Sequence, residues 1–261
     1  MDINTLRHIG SKLFKEIGQI RLMPFSQTPI TKGAGGDDTF PVDKMAEDII
    51  ISSLEALGIP LSLISEELGM ENIKGGGPRV VIDPVDGSKN AITGIPLYCT
   101  SIAVADSDNV GSIRLGYVLN LLTGDEFWAE KGSGAFFNDH RIFTQKDDHL
   151  HLVNYEAQNP GVDIPKMQRL FSKARRVRCF GATALSIAYV AYGASSVFVT
   201  PASSRSFDFS AGYIMVNEAG GVVTGFDGTS IEHMELGIKK RTPLLAAANQ
   251  AVYKKAVELI S

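Results

Sequence analysis

The segment Val80-Val81-Ile82-Asp83-Pro84-Val85-Asp86-Gly87-Ser88-Lys89-Asn90 constrains this chain more than any other. Its apolar, β-branched start reads as a buried strand that delivers Asp83 at the carboxyl end. Pro84 has no N–H and is expected to stop the ladder, while Gly87 permits a sharp turn. Asp83 and Asp86 would then enter one small volume. Ser88 would open a helix whose free N–H groups can face an anion. Two carboxylates beside amide donors suit a divalent cation bridged to phosphate, since Mg²⁺ takes oxygen ligands and is completed by water and phosphate oxygens. The same residues also make an ordinary strand-to-helix turn, and on this segment alone the two readings balance.

The flanking pattern is layered. Ile3, Leu6, Ile9, Leu13, Ile17 and Ile20 recur at helical spacing, which predicts an amphipathic helix ending near Met23-Pro24. The polar, glycine-rich stretch Lys32–Asp38 is expected to be a mobile surface loop. A second helix is predicted from Asp43 to Leu57. Strands follow at Leu61–Ser65, Arg79–Asp83, Tyr98–Ala105, Ser112–Leu119 and Asp125–Glu130. The second half alternates helix and strand, with helices at Lys166–Lys173, Thr183–Tyr192 and Asp208–Ala219 and another after Asn249. Its strands fall at Val177–Cys179, Ser196–Val199 and Gly221–Thr224. The order predicts an antiparallel first half and an α/β second half, 1–145 and 146–261, within one compact unit.

Composition removes several classes of function. Hydrophobic residues are 44% and charged residues 21% of 261, as in soluble globular domains, and a net charge of −4 gives no general attraction to nucleic acid. Apolar runs such as Ala184–Val190 are too short to span a bilayer, and Met1-Asp2-Ile3-Asn4 does not open a secretory signal, so the chain reads as cytoplasmic. Cys99 and Cys179 read as inert thiols. His8, His140, His149, His151 and His233 show no ligand spacing; His149 and His151 share a strand face and read as a polar strand end.

Two further acidic features carry weight only if they converge on Asp83. Glu66 and Glu67 end the run Leu61–Ser65, where adjacent glutamates are ordinarily a solvated turn. Asp208 opens a helical run, where it reads as an N-cap.

In this order, Ser65-Glu66-Glu67, Asp83-Pro84-Val85-Asp86-Gly87-Ser88-Lys89-Asn90 and Phe207-Asp208-Phe209-Ser210-Ala211-Gly212 resemble the inositol monophosphatase family, which includes archaeal-type fructose-1,6-bisphosphatases. Gly181-Ala182-Thr183 is similar to the family's substrate loop, and Asn217–Gly221 to the end of its signature helix. The resemblance implies a layered αβαβα sandwich, a homodimer, and two to three Mg²⁺ ions, with Mn²⁺ as a substitute. It implies that Asp83 bridges two ions, that Glu66 and the Val85 carbonyl complete the first, and that Asp86 and Asp208 complete the second. Glu66 and Glu67 would hold a third, weaker ion. Asp43 and Ser88 would orient the attacking water, and Gly87, Ser88, Lys89, Gly181, Ala182 and Thr183 would hold the substrate.

Four departures qualify the likeness. Ser88 stands for the usual threonine and keeps the hydroxyl. Phe207 replaces a tryptophan. Pro201 falls where inositol-selective members place a glutamate, which argues against strict inositol selectivity. Gly35 falls where the archaeal enzymes carry an acid. Arg205 resembles an arginine of those enzymes, and two readings stay open for it: contact with a second substrate phosphate, or a solvated or salt-bridged side chain. The reading is therefore a Mg²⁺-dependent hydrolase of small phosphate monoesters, with fructose 1,6-bisphosphate and inositol 1-phosphate leading. The alternatives are a 3′-phosphoadenosine-type or NADP phosphatase, or a silent regulatory homologue.

Overall fold

A computed structural model describes residues 1–20 and 27–260, so the expected helix end at Met23-Pro24 lies outside the described residues. Helices α1 (Ile3–Ile20) and α2 (Pro41–Ala56) are separated by a hairpin of β1 (Thr31–Lys32) and β2 (Asp38–Thr39). Then come β3 (Leu61–Ser65), β4 (Gly69–Ile73), β5 (Arg79–Asp86), α3 (Ser88–Thr93) and β6 (Cys99–Ala105). Strands β7 (Ile113–Asn120), β8 (Glu126–Glu130), β9 (Gly134–Phe137) and β10 (His140–Ile142) complete an eight-stranded sheet in the order β10-β9-β8-β7-β6-β5-β3-β4. Only the β3–β5 pair in it is parallel.

The second half supplies β11 (Leu152–Tyr155), α4 (Pro160–Lys173), β12 (Arg176–Arg178), α5 (Thr183–Ala191), β13 (Val197–Arg205) and α6 (Ser206–Ala219). It ends with β14 (Val222–Gly225), β15 (Arg241–Ala247) and α7 (Gln250–Ile260), and its five strands order as β12-β11-β13-β15-β14.

Side-chain period sets the layers. In β5, Val80 and Ile82 pack with Leu6, Leu13, Ile50 and Leu54 of α1 and α2, while Val81 between them faces Leu185, Phe209 and Met215 of α5 and α6. Each such fully buried Leu or Ile contributes about 1.5–3 kcal/mol. The same alternation in β13 turns Phe198 toward α5 and α6, and Val197 and Val199 toward Met167 and Leu170 of α4 and Val252 of α7. The stack is α1/α2, large sheet, α5/α6, small sheet, α4/α7: the αβαβα sandwich. No described helix is long and apolar enough to cross a membrane.

Two differences from the sequence reading matter to the site. Pro84 does not end its strand, because β5 continues to Asp86 through a bulge: Asp83 pairs Ser101 but Asp86 pairs Cys99. The missing N–H falls where the ladder is already broken. The extra residue also shifts the side-chain parity, so two carboxylates three residues apart turn the same way. Similarly, β13 runs on to Arg205 across a break between Thr200 and Ser204 that contains Pro201.

The expected surface loop is the β1–β2 hairpin tip, and it is hydrogen-bonded to the β3–β4 turn. The N–H groups of Ala34 and Gly35 donate to the Glu67 and Glu66 carbonyls at 3.0 and 2.8 Å.

Candidate active site

The acids arrive from separate elements. The end of β3 brings Glu66 and Glu67, the β5 bulge brings Asp83 and Asp86, and the first turn of α6 brings Asp208. These five line one cavity of about 400 Å³ together with Val85, Gly87, Ser88, Lys89, Gly181 and Arg205. Asp43, Ala182 and Thr183 were expected here and are not on its wall. Asp37, Asp38, Phe40 and Gln158 line it and were not anticipated.

Asp86 is held by the start of α5. Its carboxylate accepts the N–H groups of Thr183 at 2.9 Å and Ala184 at 2.7 Å, an arrangement the helix dipole favours. Those amides are therefore engaged with the protein and not open to a substrate, and Ala182 is buried. Gly181 alone of the expected loop reaches the cavity, its N–H held by Glu156 at 2.8 Å. Glu156 gave no sequence signal, since it lies beyond a short strand that had not been predicted.

Of the two readings open for Arg205, the structure shows the salt-bridged one. Its side chain is buried and ion-pairs with Asp37 at 2.6 Å, Glu66 at 2.7 Å and Asp208 at 3.6 Å. It also donates to the Gly35 carbonyl at 3.3 Å, which accepts Arg241 at 3.0 Å, and lies 4.5 Å from the Phe207 ring centroid. The guanidinium is thus the internal counter-ion of the acids. A Cβ at Gly35 would come within 2.7 Å of Arg205 Nη1, so an acidic side chain there conflicts with this arginine position. Asp37, two residues on, places a carboxylate against the guanidinium instead. Lys89 is the cavity cation with no ion pair among the described residues; its ammonium lies 4.3 Å from the Phe40 ring centroid.

Asp43 caps α2 by accepting the Phe40 N–H at 2.7 Å, and its Oδ1 is buried with no hydrogen-bond partner. Ser88 lies close enough to lower the Asp43 pKa, but its hydroxyl donates to the Val85 carbonyl at 2.8 Å. A single hydroxyl proton serves one acceptor at a time, and the hydrogen-bond geometry favours Val85. Burial dominates at Asp43 and pushes its pKa up to about 6.

The electrostatics test whether a metal fits. Burial raises Glu66, Asp83, Asp86 and Asp208, and repulsion among these acids adds to each of the first three. Asp86 reaches about 7 despite its amide donors. Glu67, hydrogen-bonded by Thr39, is also pushed to about 7, mainly by burial. One arginine faces this set, and Asp83 Oδ1 is buried without a partner. Clustered acids raise one another unless cations neutralise them. The available donors are oxygens, while Cys99 beside Asp86 is held as a neutral thiol by burial and by that carboxylate. An oxygen-rich, charge-deficient cluster fits a hard dication.

A family model described as the inositol monophosphatase family matches residues 2–261. The chain is 36% identical over 242 residues to the fructose-1,6-bisphosphatase/inositol-1-monophosphatase of Methanothermobacter thermautotrophicus, covering 88% of this chain and 86% of that protein. It is 31% identical over 250 residues to the bifunctional NADP phosphatase/NAD kinase of Methanococcus maripaludis, covering 86% of this chain but only 43% of that protein. The solved structure of extragenic suppressor protein suhB from Bartonella henselae matches with a TM-score of 0.84 at 27% identity, covering 99% of this chain and 98% of that one.

Proposed function

The chain belongs to the inositol monophosphatase family, and from that premise we propose that it is a Mg²⁺-dependent phosphomonoesterase of fructose 1,6-bisphosphate and inositol 1-phosphate. The observation that carries the reading is the buried surplus of oxygen donors around one cavity, with Asp83 Oδ1 left unpartnered. Glu66, Asp83 and the Val85 carbonyl would hold one ion, and Asp83, Asp86 and Asp208 a second. Glu66 and Glu67 would hold a third, and Mn²⁺ suits the same donors. Bound there, the metal neutralises phosphoryl oxygens and the leaving alkoxide and acidifies the attacking water.

This chain's own groups complete the reaction. The Ser88 hydroxyl, on the cavity wall, and the Asp43 carboxylate beside it would orient the water for in-line attack once the hydroxyl turns from the Val85 carbonyl toward Asp43. Asp43, raised to about 6, is an acceptor of suitable basicity near neutral pH. The backbone at Gly87, Ser88 and Lys89 holds the phosphoryl group, and Gly87 takes φ +90° to bring the chain close. The Lys89 ammonium is the cation available to a second substrate phosphate. Water attacks phosphorus and gives up a proton, the bond from phosphorus to the ester oxygen breaks, and the departing alkoxide takes up a proton, so that no net proton is needed from the protein.

The proposal includes a cytoplasmic homodimer, which rests on the family likeness and is checked by light scattering. The relative that pairs NADP phosphatase with NAD kinase favours a second reading, hydrolysis of the NADP 2′-phosphate. Phosphate release from fructose 1,6-bisphosphate, inositol 1-phosphate, NADP and 3′-phosphoadenosine 5′-phosphate, each with Mg²⁺ and with EDTA, decides between them. The two sugar phosphates should lead and EDTA should abolish release. NADP leading would shift the assignment to the second reading, and EDTA-insensitive release would overturn the metal.

A further inference from the structure

We propose that Asp147, His149 and His151 form a surface binding site for a transition-metal dication of the Zn²⁺ class, independent of the phosphatase site. One ligand atom from each residue lies within 4.8 Å of the others, the one such His-containing group among the described residues. Asp147 Oδ1 is 3.2 Å from His149 Nδ1 and 3.1 Å from His151 Nε2. A tetrahedral ion with bonds of 2.0–2.2 Å separates neighbouring ligands by about 3.3–3.6 Å, close to the two Asp–His spacings, and the two ring nitrogens lie within 4.8 Å of each other.

Asp147 Oδ1 also accepts the His149 N–H at 3.0 Å, and Asp147 Oδ2 lies 3.2 Å from His151 Nε2. The carboxylate and the two rings thus each bring one possible ligand atom to a single exposed point. Asp148 Oδ1, 3.5 Å from His149 Nδ1, adds negative charge beside the site.

The backbone that carries the ligands is fixed from three directions. Gln145 Nε2 donates to the Asp147 and His149 carbonyls, and Asn249 Nδ2 donates to the Gln145 and Asp147 carbonyls. Lys255 holds the Asp148 carbonyl at 2.8 Å, and Ser196 Oγ accepts the His151 N–H at 2.9 Å. Such outer support preorganises ligands for metal. Position and chemistry both separate the site from the acidic cavity. It precedes β11, whereas Gly181 of the cavity is held by Glu156 just past the other end of that strand. Imidazole nitrogens select Zn²⁺, Ni²⁺, Co²⁺ or Cu²⁺ over Mg²⁺.

The test is a Zn²⁺ titration of the full chain in excess Mg²⁺, read by calorimetry, with Co²⁺ absorption as a second probe. Wild type and Asp83→Asn should each bind one tight equivalent. His149→Ala, His151→Ala and Asp147→Asn should each weaken it about tenfold or more, with phosphate release unchanged in all three. Failure of wild type to bind Zn²⁺ overturns the proposal. So does equal affinity in the histidine variants, or loss of the tight equivalent in Asp83→Asn alone.

Discussion

Asp83→Asn should make the metal-free protein more stable while destroying its activity. Asp83 is 2% exposed, its Oδ1 has no hydrogen-bond partner, and Glu66, Asp86 and Asp208 add repulsion to the cost of its burial. A buried polar group left unpaired costs about 1–3 kcal/mol, and more when charged. Asparagine keeps the shape, removes the charge and offers an N–H₂ to the neighbouring carboxylates. In EDTA at pH 8 the variant should therefore gain about 1–3 kcal/mol, which is several degrees in Tm for a chain of this size.

The pH dependence fixes the sign. An acid whose native pKa is raised is costly above that pKa and costs nothing below its unfolded value, so the gain should vanish as pH falls toward 4. Added Mg²⁺ should stabilise wild type and not the variant, reversing their order. Phosphate release with Mg²⁺ should fall by about 10²–10³-fold or more. Thermal melts at pH 8 and 4, with EDTA or Mg²⁺, together with initial rates, test all three statements. A variant less stable than wild type in EDTA at pH 8, or one with near-normal turnover, would refute the reasoning.

Arg205→Ala should destabilise the metal-free protein by about 3–5 kcal/mol, since it leaves Glu66 and Asp208 buried without their cation. Mg²⁺ should recover part of that loss in thermal melts, and kcat/KM should fall equally on bisphosphate and monophosphate; a selective bisphosphate loss would restore the substrate-phosphate reading. Gly87→Ala should cost about 1–3 kcal/mol and most of the activity, because φ is +90° and the new Cβ meets the Leu97 and Gly181 carbonyls at 3.0 and 3.1 Å. The rate should drop as pH falls through about 6, where Asp43 takes up a proton and stops accepting one. Asp43→Asn should be slow at every pH and lack that limb, and a limb that persists in the variant would assign it to another group.

Local pattern made much of this molecule legible. Leu61–Ser65 was bounded to the residue, and β6, β7 and β8 to within one, because each is a short apolar or alternating run between turn residues. The elements that were missed lack that signature. β4, Gly69–Ile73, carries Glu71 and Asn72 on an exposed edge, and β10 opens with exposed His140 and Arg141. α4 begins at Pro160, six residues before its predicted start, and runs through Pro165, a residue that ordinarily interrupts a helix. The cavity acids were legible as three separate turns, and only family order joined them. His149 and His151 were read as sharing a strand face, but they precede β11, and their approach to Asp147 depends on Gln145, Asn249 and Lys255, the last two about a hundred residues away.

Arg205 shows what sequence order cannot carry. Its place before Asp208 was correctly read as site-lining, yet the direction of the guanidinium depends on the bulged end of β13, on Glu66 from β3, and on a hairpin whose Gly35 leaves room for it. These contacts link residues 35, 66 and 205 through backbone geometry, and none has a local signature. The consequence is chemical. Metal-free, the acids share one protein cation that also holds the β1–β2 hairpin through Asp37 and the Gly35 carbonyl. Any dication that takes Glu66 and Asp208 competes with the arginine for them, so filling the site would weaken both of these ion pairs and leave Arg205 its hairpin contacts to Asp37 and the Gly35 carbonyl.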